Sequence, residues 1–225
     1  MQNCLQIGEK NTMRIIEANE NFCSICFCNI KNNNLYAFIH KDICLCDKCM
    51  TKISAKFKYF NVNGYKGMSL FDYDSEIRQL IYLFKGCFDI VLAKVFLERY
   101  SKELSLMYRG YVMVPAPSYI DEDKTRQFNH VEEIFSLLKL KMCKCIIKTT
   151  AFKQATHNSN DRTEISKCLE LVGGEELKGK KVLLVDDVYT TGSTMKTMIS
   201  LVETLKPKEI RILVISKTIL KPLDT

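Results

Sequence analysis

Residues 182–194, Val-Leu-Leu-Val-Asp-Asp-Val-Tyr-Thr-Thr-Gly-Ser-Thr, constrain this chain more than any other stretch. Four consecutive aliphatic residues predict a strand buried on both faces, as in a parallel sheet covered by helices. Two carboxylates follow the aliphatic run, and a hydroxyl-rich loop then opens a helix. In open α/β sheets ligands bind beyond the carboxyl ends of the strands, where the unpaired N–H groups of the next helix favour an anion. The hydroxyls of Thr190, Thr191, Ser193 and Thr194, with the loop amides, can surround one phosphate, and Gly192 lets the backbone come close to it. Asp186 and Asp187 have the wrong charge for that phosphate but suit vicinal hydroxyls, so a phosphorylated sugar meets both demands. The GxxxxGK[ST] order of a P-loop is missing.

The second constraint lies near the amino end, where Cys23-Ser-Ile-Cys26 and Cys46-Asp-Lys-Cys49 form two CxxC pairs about twenty residues apart. Each pair can present two thiolates from one tight turn, and two pairs complete a tetrahedron, so the spacing predicts a zinc ribbon on Cys23, Cys26, Cys46 and Cys49. Cys28, Cys44 and His40 are further donors within reach of the same site. A module with so few large apolar residues needs the metal to fold. The chain has 11 cysteines, an odd number, and residues 1–21 carry no apolar segment of the secretory kind. Reduced thiols and metal ligands therefore fit better than a disulfide framework, and a cytoplasmic location is expected, including the inner face of the membrane. No apolar run approaches the roughly 18 residues that span a bilayer. Met13 is an alternative start.

Residues 48–66 hold five lysines and no acid after Lys48, interleaved with Phe57, Tyr59, Phe60 and Tyr65. Cations for a backbone and ring faces for bases are what single-stranded nucleic acid requires, with Lys52, Lys56, Lys58 and Tyr59 as its candidates. The same residues also suit a solvated lysine face with its aromatics packed inward. The net charge of +7, from 33 Lys and Arg against 26 Asp and Glu, biases the protein toward phosphates without specifying one.

Helical spacing covers 74–102, broken at Gly86, with Lys85 at a helix end where it complements the dipole or reaches a phosphate. Residues 111–114 read as a buried strand ended by Pro115-Ala116-Pro117, 128–140 as a helix and 143–147 as a strand. Residues 148–161 form a polar loop that frees Lys153, Gln154 and His157 for a ligand. A strand over 168–172, a helix over 193–205 and a strand over 210–216 complete a βαβ-like order, which predicts a mostly parallel sheet flanked by helices. The expected division is an extension over 1–21, a zinc-ribbon module and basic linker over 22–66, and an α/β domain over 67–225.

The 182–194 segment resembles the 5-phosphoribosyl-1-pyrophosphate (PRPP) motif of type I phosphoribosyltransferases: an aliphatic strand, two acids and a Thr-Thr-Gly-Ser loop. That resemblance implies a 5′-phosphate in the loop from Thr190 to Thr194, ribose hydroxyls on Asp186 and Asp187, and Mg²⁺ with the pyrophosphate. Displacement at C1 would pass through an oxocarbenium-like state, stabilised by positioning and charge. The order CxxC…CxxC, Val-Pro-Ala-Pro, Arg126-Gln-Phe-Asn129, Gln154 loop, Arg162 and PRPP motif is similar to the ComF competence proteins, from about residue 22 to the end. It implies that Pro115, Ala116, Arg126, Asn129 and Arg162 lie on the pyrophosphate side. Gln127 stands where that family has glycine, and Ile165 where it commonly has asparagine. The family implies a role in DNA uptake during natural transformation, with PRPP, single-stranded DNA and other competence proteins such as a DNA-translocating helicase as partners. A nucleobase phosphoribosyltransferase of salvage metabolism and a PRPP-sensing regulator without catalysis are the alternatives.

Overall fold

In the computed structural model the described residues are 22–30, 45–86, 90–118, 128–149 and 168–218. The chain divides into two compact units, Met1–Met50 and Thr51–Thr225. In the first, Phe22 bridges Asn29, and the Phe27 and Cys23 amides donate to Cys23 O and Cys28 O at 2.9 Å, closing a tight turn. Phe27 takes a positive φ of 56° there, so the turn winds Cys23 and Cys26 toward one side. Helix α1, Asp47–Lys52, starts directly after Cys46 and carries Cys49 on its buried side.

The second unit is built on a five-stranded sheet. Its strands are β1 (Lys58–Val62), β2 (Tyr65–Asp72), β3 (Tyr111–Pro115), β6 (Lys181–Tyr189) and β7 (Glu209–Lys217), in the spatial order β1-β2-β7-β6-β3. The β2–β7, β7–β6 and β6–β3 pairings are parallel, as the βαβ order predicts, and the β1–β2 hairpin of this sheet is antiparallel. That hairpin turns on Asn63 and Gly64, both at positive φ (51° and 88°), a turn whose twist matches its strands. Lys58–Val62, placed in the basic linker from sequence, is thus an edge strand of this sheet. Strands β4 (Ile146–Lys148) and β5 (Leu169–Leu171) pair with each other in a separate antiparallel ribbon instead of joining the main sheet.

Helix α2, Ser75–Gly86, is capped by Asp74, whose Oδ1 accepts from the Ile77 amide at 3.0 Å. Short helices α3 (Ala93–Leu97) and α4 (Ser101–Met107) continue to β3. Helix α5 spans His130–Ser136, shorter than the predicted 128–140, because the Leu138 and Lys139 amides turn back onto Phe135 O and Ser136 O and Lys139 adopts φ 53°. Helix α6, Ser193–Glu203, packs Met195, Met198, Ile199 and Val202 against Val182, Leu184, Ile210, Ile212, Val112 and Val114 of the sheet. Alternation along each strand sends Leu183, Val185, Leu213 and Ile215 to the opposite face, where α2 and α5 lie. Val182 to Val185 are all fully buried, and each such side chain contributes about 1.5–3 kcal/mol.

Candidate functional site

The carboxyl end of β6 leads through 190–192 into α6, so the acids and the hydroxyl loop form one continuous backbone feature. The pleat splits the two acids. Asp187 follows Leu183 and Val185 to the α2–α5 face and is only 4% exposed, whereas Asp186 points to the other side and is half-buried. Asp186 Oδ1 accepts from the Asp187 amide at 2.8 Å, and Asp187 Oδ1 accepts from the Val188 amide at 2.7 Å. The remaining Asp187 oxygen, Oδ2, is ion-paired with Lys85 Nζ from the last turn of α2, and His130 Nε2 at the start of α5 lies 3.7 Å away.

These contacts drive the two carboxyls apart. Burial works to raise the Asp187 pKa, but the positive charge of Lys85, then of His130, outweighs it and holds the carboxyl below its ordinary range. Desolvation, then the neighbouring Asp187 charge, pushes Asp186 well above that range. The pair therefore presents one carboxylate locked by Lys85 and one carboxyl, on a partly exposed residue, that gains from a positive or hydrogen-bonding partner. Such oxygen donors fit a hard cation like Mg²⁺.

Beyond the acids the loop is pinned from two directions. Thr218 Oγ1 donates to Tyr189 O at 3.2 Å and to Thr190 O at 3.4 Å, and Thr197 Oγ1 donates to Ser193 O at 3.0 Å. Thr191 Oγ1 and Ser193 Oγ are 3.0 Å apart, with Thr190 and Thr191 exposed at the mouth and Thr194 half-buried behind them. Gly192 has φ 77°, and a Cβ there would fall 2.2 Å from Tyr189 Oη. Both the backbone and the space require glycine.

Pro115 pairs with Val185, and the Ala116 amide donates to Val185 O at 2.8 Å, which sets both beside Asp186 at the same sheet edge. Asn129 caps α5, accepting from the Glu132 amide at 3.0 Å, and its Nδ2 donates to Ser118 Oγ at 2.8 Å, tying the helix to the segment after β3. Arg126, Arg162, Lys153, Gln154 and His157 lie outside the described residues. Lys85, read from sequence as complementing the helix dipole or reaching a phosphate, sits in the last turn of α2 with its ammonium on Asp187. His130 was not singled out from sequence, where an isolated histidine at a helix start carries no signal of its distant partner.

In the first unit, the Sγ atoms of Cys23, Cys26, Cys46 and Cys49 all lie within 4.8 Å of one another. Four thiolates at about 2.3 Å from one zinc ion stand about 3.8 Å apart, so the cluster can bind zinc. Cys28 Sγ is 3.4 Å from Cys26 Sγ beside the cluster, and hydrogen bonding with Cys26 and then Cys46 pushes its pKa up to about 12. Cys44 and His40 lie outside the described residues.

The basic stretch is less free than its composition suggests. Lys56 and Lys58 both pair with the buried Asp72, at 3.1 and 2.6 Å. Phe57 packs edge-on to Tyr100, Phe60 against Tyr189, and Tyr65 donates to Glu203 Oε1 at 2.5 Å. Lys52 is exposed at the end of α1, and Tyr59 has 77% of its surface open.

Residues 131–221 match the family described as Phosphoribosyl transferase domain. The chain is 27% identical over 172 residues to competence protein ComFC of Streptococcus pneumoniae (strain ATCC BAA-255 / R6), covering 74% of this chain and 77% of that protein. It is 25% identical over 129 residues to ComFC of Bacillus subtilis (strain 168), covering 56% of this chain and about half, 53%, of the relative. A shorter stretch of 47 residues is 40% identical to hypoxanthine-guanine phosphoribosyltransferase from Mus musculus, covering 20% of this chain and 22% of that enzyme. Among the described residues no helix is long and apolar enough to cross a membrane.

Proposed function

For a chain whose relatives, matched domain and four-cysteine cluster fit a ComF-family, type I phosphoribosyltransferase-like protein, we propose a competence role in which the crevice after β6 binds PRPP with Mg²⁺ and the protein also handles single-stranded DNA in the cytoplasm. One observation carries the ligand: the acids of β6 run without interruption into a hydroxyl-lined loop that opens α6. The 5′-phosphate takes the Thr190–Thr194 loop, where the hydroxyls and first helical amides supply donors. Asp186, the more exposed of the two acids, takes the ribose hydroxyls first, and Asp187 supports it from behind. Mg²⁺ supplies charge neutralisation for the pyrophosphate, and Pro115 and Ala116 border that side. Arg126, Asn129 and Arg162 are the remaining candidates there, with Asn129 acting through its cap and its bond to Ser118.

Two other functions share this site: nucleobase phosphoribosyl transfer and PRPP sensing without chemistry. Thermal unfolding with and without PRPP and Mg²⁺ tests the ligand, and a marked stabilisation absent from an Asp186→Asn/Asp187→Asn variant is expected. An equal shift in both proteins overturns the site assignment. Pyrophosphate release in the presence of a panel of bases then separates transfer from sensing. Other competence proteins, such as a DNA-translocating helicase, are proposed partners on the same family ground.

A further inference from the structure

Strand alternation places Tyr59 of β1, Lys66 of β2, Tyr111 of β3 and Arg211 of β7 on one face of the sheet, near the amino ends of its parallel strands. With Met107 and Tyr108 from the end of α4 they line a depression of about 760 Å³. Tyr59 and Met107 stand at its rim, 77% and 54% exposed, whereas Tyr108 and Tyr111 meet edge-to-face at 5.6 Å and form a buried wall. Among the described residues, two cations and no carboxylate belong to the lining. Glu209, next to the lining, is engaged by Arg211 Nε at 2.6 Å and by Lys181 at 3.9 Å. Asp187 is at the other end of the strands, roughly 20 Å along β6 from Lys181. This depression is therefore distinct from the phosphoribosyl crevice.

An exposed aromatic ring on an edge strand, an apolar rim partner and two cations in the lining are complementary to an unpaired base with its phosphate. A duplex keeps its base faces stacked and offers only the phosphates. We propose that this depression is a binding site for single-stranded nucleic acid, in which a base stacks on Tyr59 against Met107 and the flanking phosphates meet Lys66 and Arg211. The proposal rests on the single-strand part of the function above and moves its centre from Lys56 and Lys58, which Asp72 holds, to Lys66, with Arg211 adding a guanidinium that also pairs with Glu209. It is independent of PRPP.

The test is fluorescence anisotropy of a labelled 20-nucleotide oligo-dT with the full-length protein, across a salt series. Tyr59→Ala is expected to weaken binding roughly tenfold at fixed salt with little change in salt slope, and Tyr59→Phe to bind like the parent. Lys66→Ala should reduce the slope of log affinity against log salt by about 0.7, the release expected from one single-strand phosphate contact. Both side chains lie at the surface, and unchanged melting curves establish that the variants fold. If the parent binds oligo-dT while both alanine variants match it, the depression is not the site and the single-strand function stands. If the parent does not bind, that function falls and this site with it. Unlabelled duplex of equal length competing as well as the single strand overturns the stacking geometry.

Discussion

Lys85 at the end of α2 holds its ammonium on the carboxylate of Asp187 at the end of β6, and thereby ties a covering helix to the strand that bears the crevice. The Asp187 side chain is 6% exposed and that of Lys85 29%, so removing the cation leaves a nearly buried anion with His130 as its remaining basic neighbour among the described residues. Lys85→Met is expected to cost about 2–3 kcal/mol in urea unfolding. A Lys85→Met/Asp187→Asn double variant should recover most of that loss, because no charge is then left uncompensated. A double variant as unstable as the single would show that the lysine acts through its methylenes.

The two acids should leave opposite marks on stability as a function of pH. Asp187 titrates below its unfolded value, so its contribution is complete above the ordinary carboxylate range and disappears as pH falls through the depressed folded value. Asp186 titrates above its unfolded value, so the folded state holds the extra proton and stability declines as pH rises from that range toward the raised value. Asp186→Asn is expected to be more stable than the parent at neutral pH and equal to it near pH 3, about where the unfolded carboxyl keeps its own proton. Denaturant melts across pH check both signs, and the same variant should lose the response to PRPP.

Metal content distinguishes the thiols. About one equivalent of zinc per chain is expected, lost in Cys23→Ser and retained in Cys28→Ser, since Cys28 adjoins Cys26 without belonging to the mutually close set. Metal analysis after gel filtration, with proteolysis of residues 1–50 as a second readout, tests it. Equal loss in both variants would make Cys28 a ligand.

Gly192→Ala combines a left-handed backbone with a clash on Tyr189 Oη. A loss of about 1–3 kcal/mol and a weakened PRPP response are expected, because relief of the clash must move either the loop or the tyrosine. Tyr189→Phe in the same background removes the nearest atom and should restore part of the stability.

Much of this architecture was legible along the chain. The aliphatic run of β6 announces a doubly covered strand, the βαβ order a mostly parallel sheet, and the CxxC pairs a cluster that closes when their turns meet. What was not legible depends on contacts between distant segments. Nothing local to Lys85 or His130 says that both face Asp187, and nothing in a lysine-aromatic stretch says that Asp72 binds two of its cations. The local signal for β1 is Asn63-Gly64, a hairpin-turn pair between Lys58–Val62 and Tyr65–Asp72 that marks both flanks as strands of one sheet. Apolar spacing continues past the end of α5 through Leu138, which is buried by a turn rather than by the helix, so periodicity alone reads a helix to 140.

Phe60 belongs to two neighbourhoods at once. Its ring tilts against Tyr189 with centroids 4.8 Å apart, and Lys217 Nζ lies 5.8 Å from each of the two rings. The same ring lies so close over Gly67 that a Cβ there would come within 2.6 Å of it. Tyr189 in turn backs Gly192. A bare backbone in β2 thus makes room for the prop under the hydroxyl loop, and a methyl group added at Gly67 would be transmitted by ring against ring to a turn far away in the sequence.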